Sequence, residues 1–228
     1  MPDRAPTGRP APWALDPLAC VADLDAFARL LAAKPELAEK ADILPFFREH
    51  PHLAAFLGTY AYTANTVDQF AVEVGLFGQF VVDIVAGDQA KKAYCLIECE
   101  DGFADSIFRK RGRHTSTWAP RFEQGISQIV DWMWLLADQE HSLAFEELFG
   151  PRPVELTLLL LIGRESGVSA ADRRRLEWRS RHMPVHGHRI YVYTFDDLLR
   201  DLRRRLAAFQ TYATGGHDGL RDSGHSRP

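Results

Sequence analysis

The chain has 228 residues and a mass of 25.8 kDa, enough to bury a sizeable core. A hydrophobic share of 46% and a charged share of 25% fit a soluble globular protein, and a net charge of −4 carries no global signature of a nucleic-acid binder. Three cysteines argue against a disulfide framework, and no apolar run approaches the roughly 20 residues of a membrane helix.

Residues 1–20, beginning "MPDRAPTGRPAPW", lack the apolar stretch of a signal peptide and read as a disordered, Pro-rich lead, with cytoplasmic residence as the default. Residues 21–65 place apolar side chains at three- and four-residue spacings in "VADLDAFARLLAA", "PELAEKADILPFFREH" and "HLAAFLGTYA". Punctuated by Pro35, Pro45 and Pro51, they predict a small helical subdomain without chemistry of its own.

The period then changes. "DQFAVEV", "GQFVVDIVA", "KAYCLIECE", "VELTLLLLIG" and "HRIYVYT" are short, rich in β-branched and aromatic residues, and bounded by Gly, Pro or Asp. The amphipathic "RFEQGISQIVDWMWLLADQ" lies between the third and fourth. "SAADRRRLEWRSRH" follows the fourth and "TFDDLLRDLRRRLAAF" the fifth, each opening on a capping-box spacing, Ser169 with Asp172 and Thr194 with Asp197. The expected fold is α/β: a mixed sheet flanked by helices over 66–210, a helical amino-terminal extension, and a disordered tail from 211.

Within this apolar sequence, Asp83, Glu98 and Glu100 are out of place, because a buried charge costs several kcal/mol unless something pairs with it. Alternation puts Tyr94, Leu96, Glu98 and Glu100 on one strand face and Cys95, Ile97 and Cys99 on the other. Turn chemistry at Gly87–Asp88 makes a hairpin the economical connection, so Asp83 pairs across from Glu98 and three carboxylates converge within about 5–8 Å. Such a cluster either faces water at a sheet edge or holds a cation, and its oxygen donors suit Mg²⁺ or Mn²⁺ better than zinc. Cys95 and Cys99, roughly 13 Å apart along an extended strand, cannot share a zinc and read as buried thiols. "HMPVHGH" (182–188) offers three histidines with no second ligand cluster.

An aspartate at one strand end, followed after a hairpin by acidic-x-acidic, resembles the PD-(D/E)xK nuclease superfamily. The longer run "GQFVVDIVAGD…AYCLIECEDGFADSIF", "GRHTSTWAPRFEQGISQIVDWMWLLAD", "LLLLIGRESGVSAADRRRLEWRSRH" and "RIYVYTFDDLL" resembles the nuclease domain of the Shedu anti-phage defence proteins over roughly 66–206. That resemblance implies a restriction-endonuclease-like fold, homo-oligomerisation, and Mg²⁺- or Mn²⁺-dependent hydrolysis of DNA phosphodiesters. It makes Asp83 and Glu98 metal ligands, sets Glu100 where many members carry lysine, and assigns Gln128 to water or phosphate positioning. Glutamate cannot supply lysine's charge, so Glu100 must act as base or further ligand; a member that lost catalysis and only binds nucleic acid is the alternative. The basic clusters "FRKRGRH", "RRRLEWRSRH" and "RRR" then offer phosphate contacts, with Arg113, Arg174, Arg175 and Arg179 as candidates against the alternative of solvated helix faces.

Overall fold

The computed structural model describes residues 4–111 and 115–215. Two short strands, β1 (Thr7–Gly8) and β2 (Ala11–Pro12), open the chain and both pair with β3 (Gln69–Leu76). The expectation of a disordered lead is thus corrected: Trp13 packs edge-on against Phe70, and Asp16 caps helix α1 (Pro17–Ala33) by accepting from the Leu18 and Ala19 N–H groups. Proline content misled here, since edge pairing against β3 leaves room for residues that cannot donate. A π-turn at Glu39–Ile43 and short helices α2 (Leu44–Glu49) and α3 (Pro51–Phe56) follow.

β3, β4 (Phe80–Asp88) and β5 (Ala93–Cys99) form the predicted antiparallel meander. The turn joining β4 to β5 falls at residues 89–92 rather than at Gly87–Asp88, which remain in strand. Gly87 is required there because a Cβ would lie 2.3 Å from the Ala93 carbonyl oxygen. An unforeseen hairpin, β6 (Phe108–Arg111) and β7 (Thr115–Trp118), precedes helix α4 (Pro120–Gln139) and helix α5 (Leu143–Phe149). β8 (Glu155–Leu161), α6 (Ala170–His182), β9 (Ile190–Tyr193) and α7 (Phe195–Gly215) complete the fold. β8 runs parallel to β5 and β9 parallel to β8, each crossover carried by helix, and the sheet order is β1-β3-β4-β5-β8-β9. Both capping boxes form: Ser169 Oγ accepts from the Asp172 N–H and Thr194 Oγ1 from the Asp197 N–H.

Two cores lie on the two faces of this sheet. Phe27, Phe47, Phe56, Leu198 and Leu202 cover Phe70, Ile84, Cys95, Ile97 and Leu159 on one face. Phe122, Ile129, Trp132, Phe149 and Leu176 cover Ala71, Val85, Leu96, Leu158 and Leu160 on the other. At about 1.5–3 kcal/mol per buried large side chain, both layers stabilise one unit. The amino-terminal helices form a layer of the sheet domain, not the separate subdomain their sequence suggested. Among the described residues no helix is long and apolar enough to cross a membrane.

Candidate functional site

The alternation of β4 breaks at Asp83. Ile84 and Ala86 belong to one core, whereas Val82 and Val85 both belong to the other. The β3–β4 register pairs Val72 with Ile84 and Val74 with Val82, leaving Glu73 and Asp83 unpaired between them, with Glu73 at φ +53°. This irregularity releases the Asp83 carboxylate from the β3 ladder and lets it reach toward β5. Asp83 Oδ2 accepts from the Cys99 N–H at 2.8 Å, and the side chain shares a hydrogen bond with Glu98. Sequence reasoning put these two residues opposite each other across a hairpin, and the β4–β5 register, which pairs Ile84 with Ile97, runs on toward that pairing, while the irregularity lies on the β3 side.

Glu98 and Glu100 sit at the end of β5, with exposures of 4% and 1%. The Glu100 N–H donates to the Leu161 carbonyl, which carries the β5–β8 ladder one residue past the strand. Helix α4 crosses above them at Gly125, where a Cβ would lie 3.2 Å from Glu100 Oε1 and 2.8 Å from a Leu160 methyl group. A side chain there would have to displace the Leu160 methyl group and crowd Glu100. One turn further along α4, Gln128 is half-buried and makes no hydrogen bond among the described residues.

Three residues that sequence reasoning missed complete the cluster. Leu37 and Gly102 exchange backbone hydrogen bonds, which pins the amino-terminal segment to the end of β5. The Glu39 N–H then donates to Asp101 Oδ1 at 2.8 Å, and Glu39 faces the strand carboxylates. Arg121, in the first turn of α4, lies 2.5 Å from Asp101 Oδ2, 3.1 Å from Glu100 Oε2 and 3.6 Å from Glu39 Oε2. A cation opposes the helix dipole at that position, and this was the available signal. Glu39 had none, because only a long-range backbone bridge brings it in.

Burial and mutual repulsion raise the affinity of these carboxylates for protons. Desolvation is the largest cause for Asp83, Glu98 and Glu100 alike. Asp83 and Glu98 are both displaced upward, by burial first and, for Glu98, by the neighbouring Asp83 and Glu100 carboxylates as well. Glu100 is pushed up to about 8 even though Arg121 pulls it down.

The donor set is all oxygen, as Mg²⁺ or Mn²⁺ requires. Glu98 Oε2 and Glu100 Oε2 are buried without a hydrogen-bond partner; Arg121 is within ion-pair reach of the latter, but its N–H is not aimed at it. Such orphaned oxygens fit a cation. The structure brings Asp83 and Glu98 together and sets Glu100 beside them against Arg121; among the described residues no three His, Cys, Asp or Glu groups close around one point.

The candidate arginines divide. Arg175 is bonded to Ser116 and Asp172 and lies over the Phe108 and Trp118 rings. Arg179 makes a two-pronged pair with Glu123 and covers Trp118 and Phe122. Both have packing roles. Arg174 is exposed and has no ion pair among the described residues; Arg113 lies outside them.

A comparison with curated proteins returned no match. The family model described as Shedu protein SduA, C-terminal, matches residues 37–199, beginning two residues before Glu39 and extending further toward the amino end than the resemblance read from sequence. With most of its length matched, from the segment that delivers Glu39 through the α7 cap, this chain belongs to the Shedu SduA family.

Proposed function

We propose that this protein is a metal-dependent endonuclease that hydrolyses DNA phosphodiester bonds; membership of the Shedu SduA family supports a role in anti-phage defence. One observation carries the reading: a carboxylate pair, Asp83 and Glu98, buried at a strand end beside Glu100, with one oxygen of Glu98 and one of Glu100 lacking a hydrogen bond among the described residues, in a position the fold could have filled with apolar side chains. Asp83 and Glu98 would hold the cation, with the free oxygen of Glu100 as the adjacent donor. A divalent ion bound there supplies a water of lowered pKa and neutralises charge on the phosphate.

The chain's own residues supply the rest. Asp83 is held in position by the Cys99 N–H, so its second oxygen keeps a fixed direction. The raised proton affinity of the Asp83–Glu98 pair opposes its binding a cation as two carboxylates, and the incoming positive charge would offset that. Glu100, with a proton affinity near neutrality, is suited to accept a proton from the attacking water. Arg121 provides the positive charge that a lysine at position 100 would otherwise supply. Gln128, one turn from Gly125 and with no side-chain hydrogen bond among the described residues, would contact water or phosphate.

A nuclease fold that binds DNA without cutting it draws on a different observation, the absence of a closed three-carboxylate group among the described residues. The two readings separate in one assay. Purified full-length protein is incubated with supercoiled plasmid in EDTA, Mg²⁺ or Mn²⁺, beside Asp83→Asn. Metal-dependent nicking or linearisation by wild type alone is expected. DNA binding without cleavage in any metal would establish the non-catalytic form.

A further inference from the structure

Helix α6 carries a stripe at four-residue spacing, Arg174, Trp178 and His182, on its outer side. Trp178 is 60% exposed, and its ring stacks on His182 with centroids 4.7 Å apart and planes 17° from parallel. Beside the stripe lies an open groove of about 790 Å³, lined by Trp118, Arg174, Arg175, Trp178, Arg179 and Met183. Among the described residues no acidic side chain lines it. Asp172 and Glu123, which pair with Arg175 and Arg179, lie outside that lining.

Trp118, on the groove wall, stacks on the buried Phe108 and Phe122 rings with centroid separations of 4.5 and 4.9 Å, and the Arg175 and Arg179 guanidinium carbons lie 5.2 and 4.8 Å from its own centroid. Groove walls of flat aromatic and guanidinium surface match the face of a nucleobase, which stacks without regard to sequence. The unpaired Arg174 adds a cation at the rim, one helical turn from Trp178, where a phosphate next to a stacked base would lie. An apolar peptide would use the rings but would leave Arg174 without a counter-charge.

We propose that this groove binds an unpaired stretch of DNA, with a base stacked on Trp178 and the adjoining phosphate on Arg174. The inference rests on the nucleic-acid reading of the carboxylate site and extends it. The first turn of α4 links the two places, since Glu123 pairs with Arg179 of the groove while Arg121 of the same turn pairs with Glu100.

The test measures binding of the full chain to fluorescein-labelled oligo(dT)12 and to a blunt 20-base-pair duplex by anisotropy, in EDTA so that cleavage plays no part. Trp178→Ala is expected to weaken oligo(dT) binding about tenfold or more, with the salt slope unchanged. Arg174→Ala should weaken it less and reduce the slope by about 0.7. Both variants should bind the duplex within about twofold of wild type. Both side chains are exposed, and unchanged melting temperatures will show that the fold is intact. Wild-type affinity for oligo(dT) in both variants overturns the proposal. So does a loss shared equally by duplex and oligo(dT), or a groove that takes poly-glutamate in place of oligo(dT), which would mark it as a peptide site. Because EDTA is present, stacking without any metal-dependent cleavage sustains this inference and removes the nuclease reading, whereas cleavage with unaffected oligo(dT) binding does the reverse.

Discussion

The end of β5 and the face of α6 are both dense in charge, and they treat it in opposite ways. Along α6, Arg173 pairs with Asp197, Arg175 with Asp172, Arg179 with Glu123 and Arg181 with Glu177. At β5, five carboxylates meet one arginine, and among the described residues two oxygens are left buried without a hydrogen bond. Matched charge on a helix face is what stable packing produces. Unmatched charge in a core lowers stability and is retained where something else, a ligand or a reaction, requires it.

The comparison breaks most directly at Glu98. Glu98→Gln keeps the shape and removes the charge, so plasmid cleavage in Mg²⁺ should fall by roughly a thousandfold. Full activity in this variant would place Glu98 with the packing residues. Glu100→Lys comes next: if Glu100 accepts the proton from water, cleavage falls at least tenfold. Retained or increased cleavage would instead make Glu100 a stand-in for lysine, and Arg121 would then be a structural tie.

On the matched side, Arg179→Ala removes a two-pronged pair and two ring contacts and should lower stability by about 1–3 kcal/mol in urea denaturation. A change under about 0.5 kcal/mol would mean the pair is no more than a surface ornament. The pH response tells the two regions apart more gently. Glu100 titrates near 4.5 when unfolded and at about 8 when folded, so the folded state binds more protons across that interval. Stability of the metal-free protein should therefore fall as pH rises from about 4.5 to about 8, by up to about 1.4 kcal/mol per pH unit for this group. Glu100→Gln should flatten that slope. The α6 and α7 carboxylates act in the other direction: Asp172 and Asp197 are held below their ordinary range by hydrogen bonds and arginines, so their contribution is lost as pH drops below about 4. A profile that rises from pH 5 to 8 would contradict the buried-carboxylate account. Smallest of all, Arg174→Ala should change stability by less than about 0.5 kcal/mol, since it removes no internal contact.

Much of this could be read from the chain, for identifiable reasons. The five main strands and the three long helices declare themselves through local period and capping, which depend on neighbours a few residues away. The pairing of Asp83 with Glu98 was legible because a hairpin converts sequence distance into register. What escaped was non-local or masked by composition. Glu39 reaches the site only through the Leu37–Gly102 bridge, 65 residues apart in sequence. The β6–β7 hairpin was hidden by its own basic residues, which drew attention as charge while Phe108 stacks on Trp118 across the strand pair. Arg175 and Arg179 are arginines on a solvent-side helix by sequence; only their rings and carboxylates make them part of the packing.

The claim that the β5 carboxylates are arranged for a cation is tested most directly by titrating Mn²⁺ into the metal-free protein at pH 7.5 in a calorimeter, alongside Glu98→Gln. The account predicts saturable binding by the wild type, accompanied by proton release from the carboxylate pair, and loss of that binding in the variant. Identical titrations for the two proteins, or no saturable heat from the wild type, would contradict it.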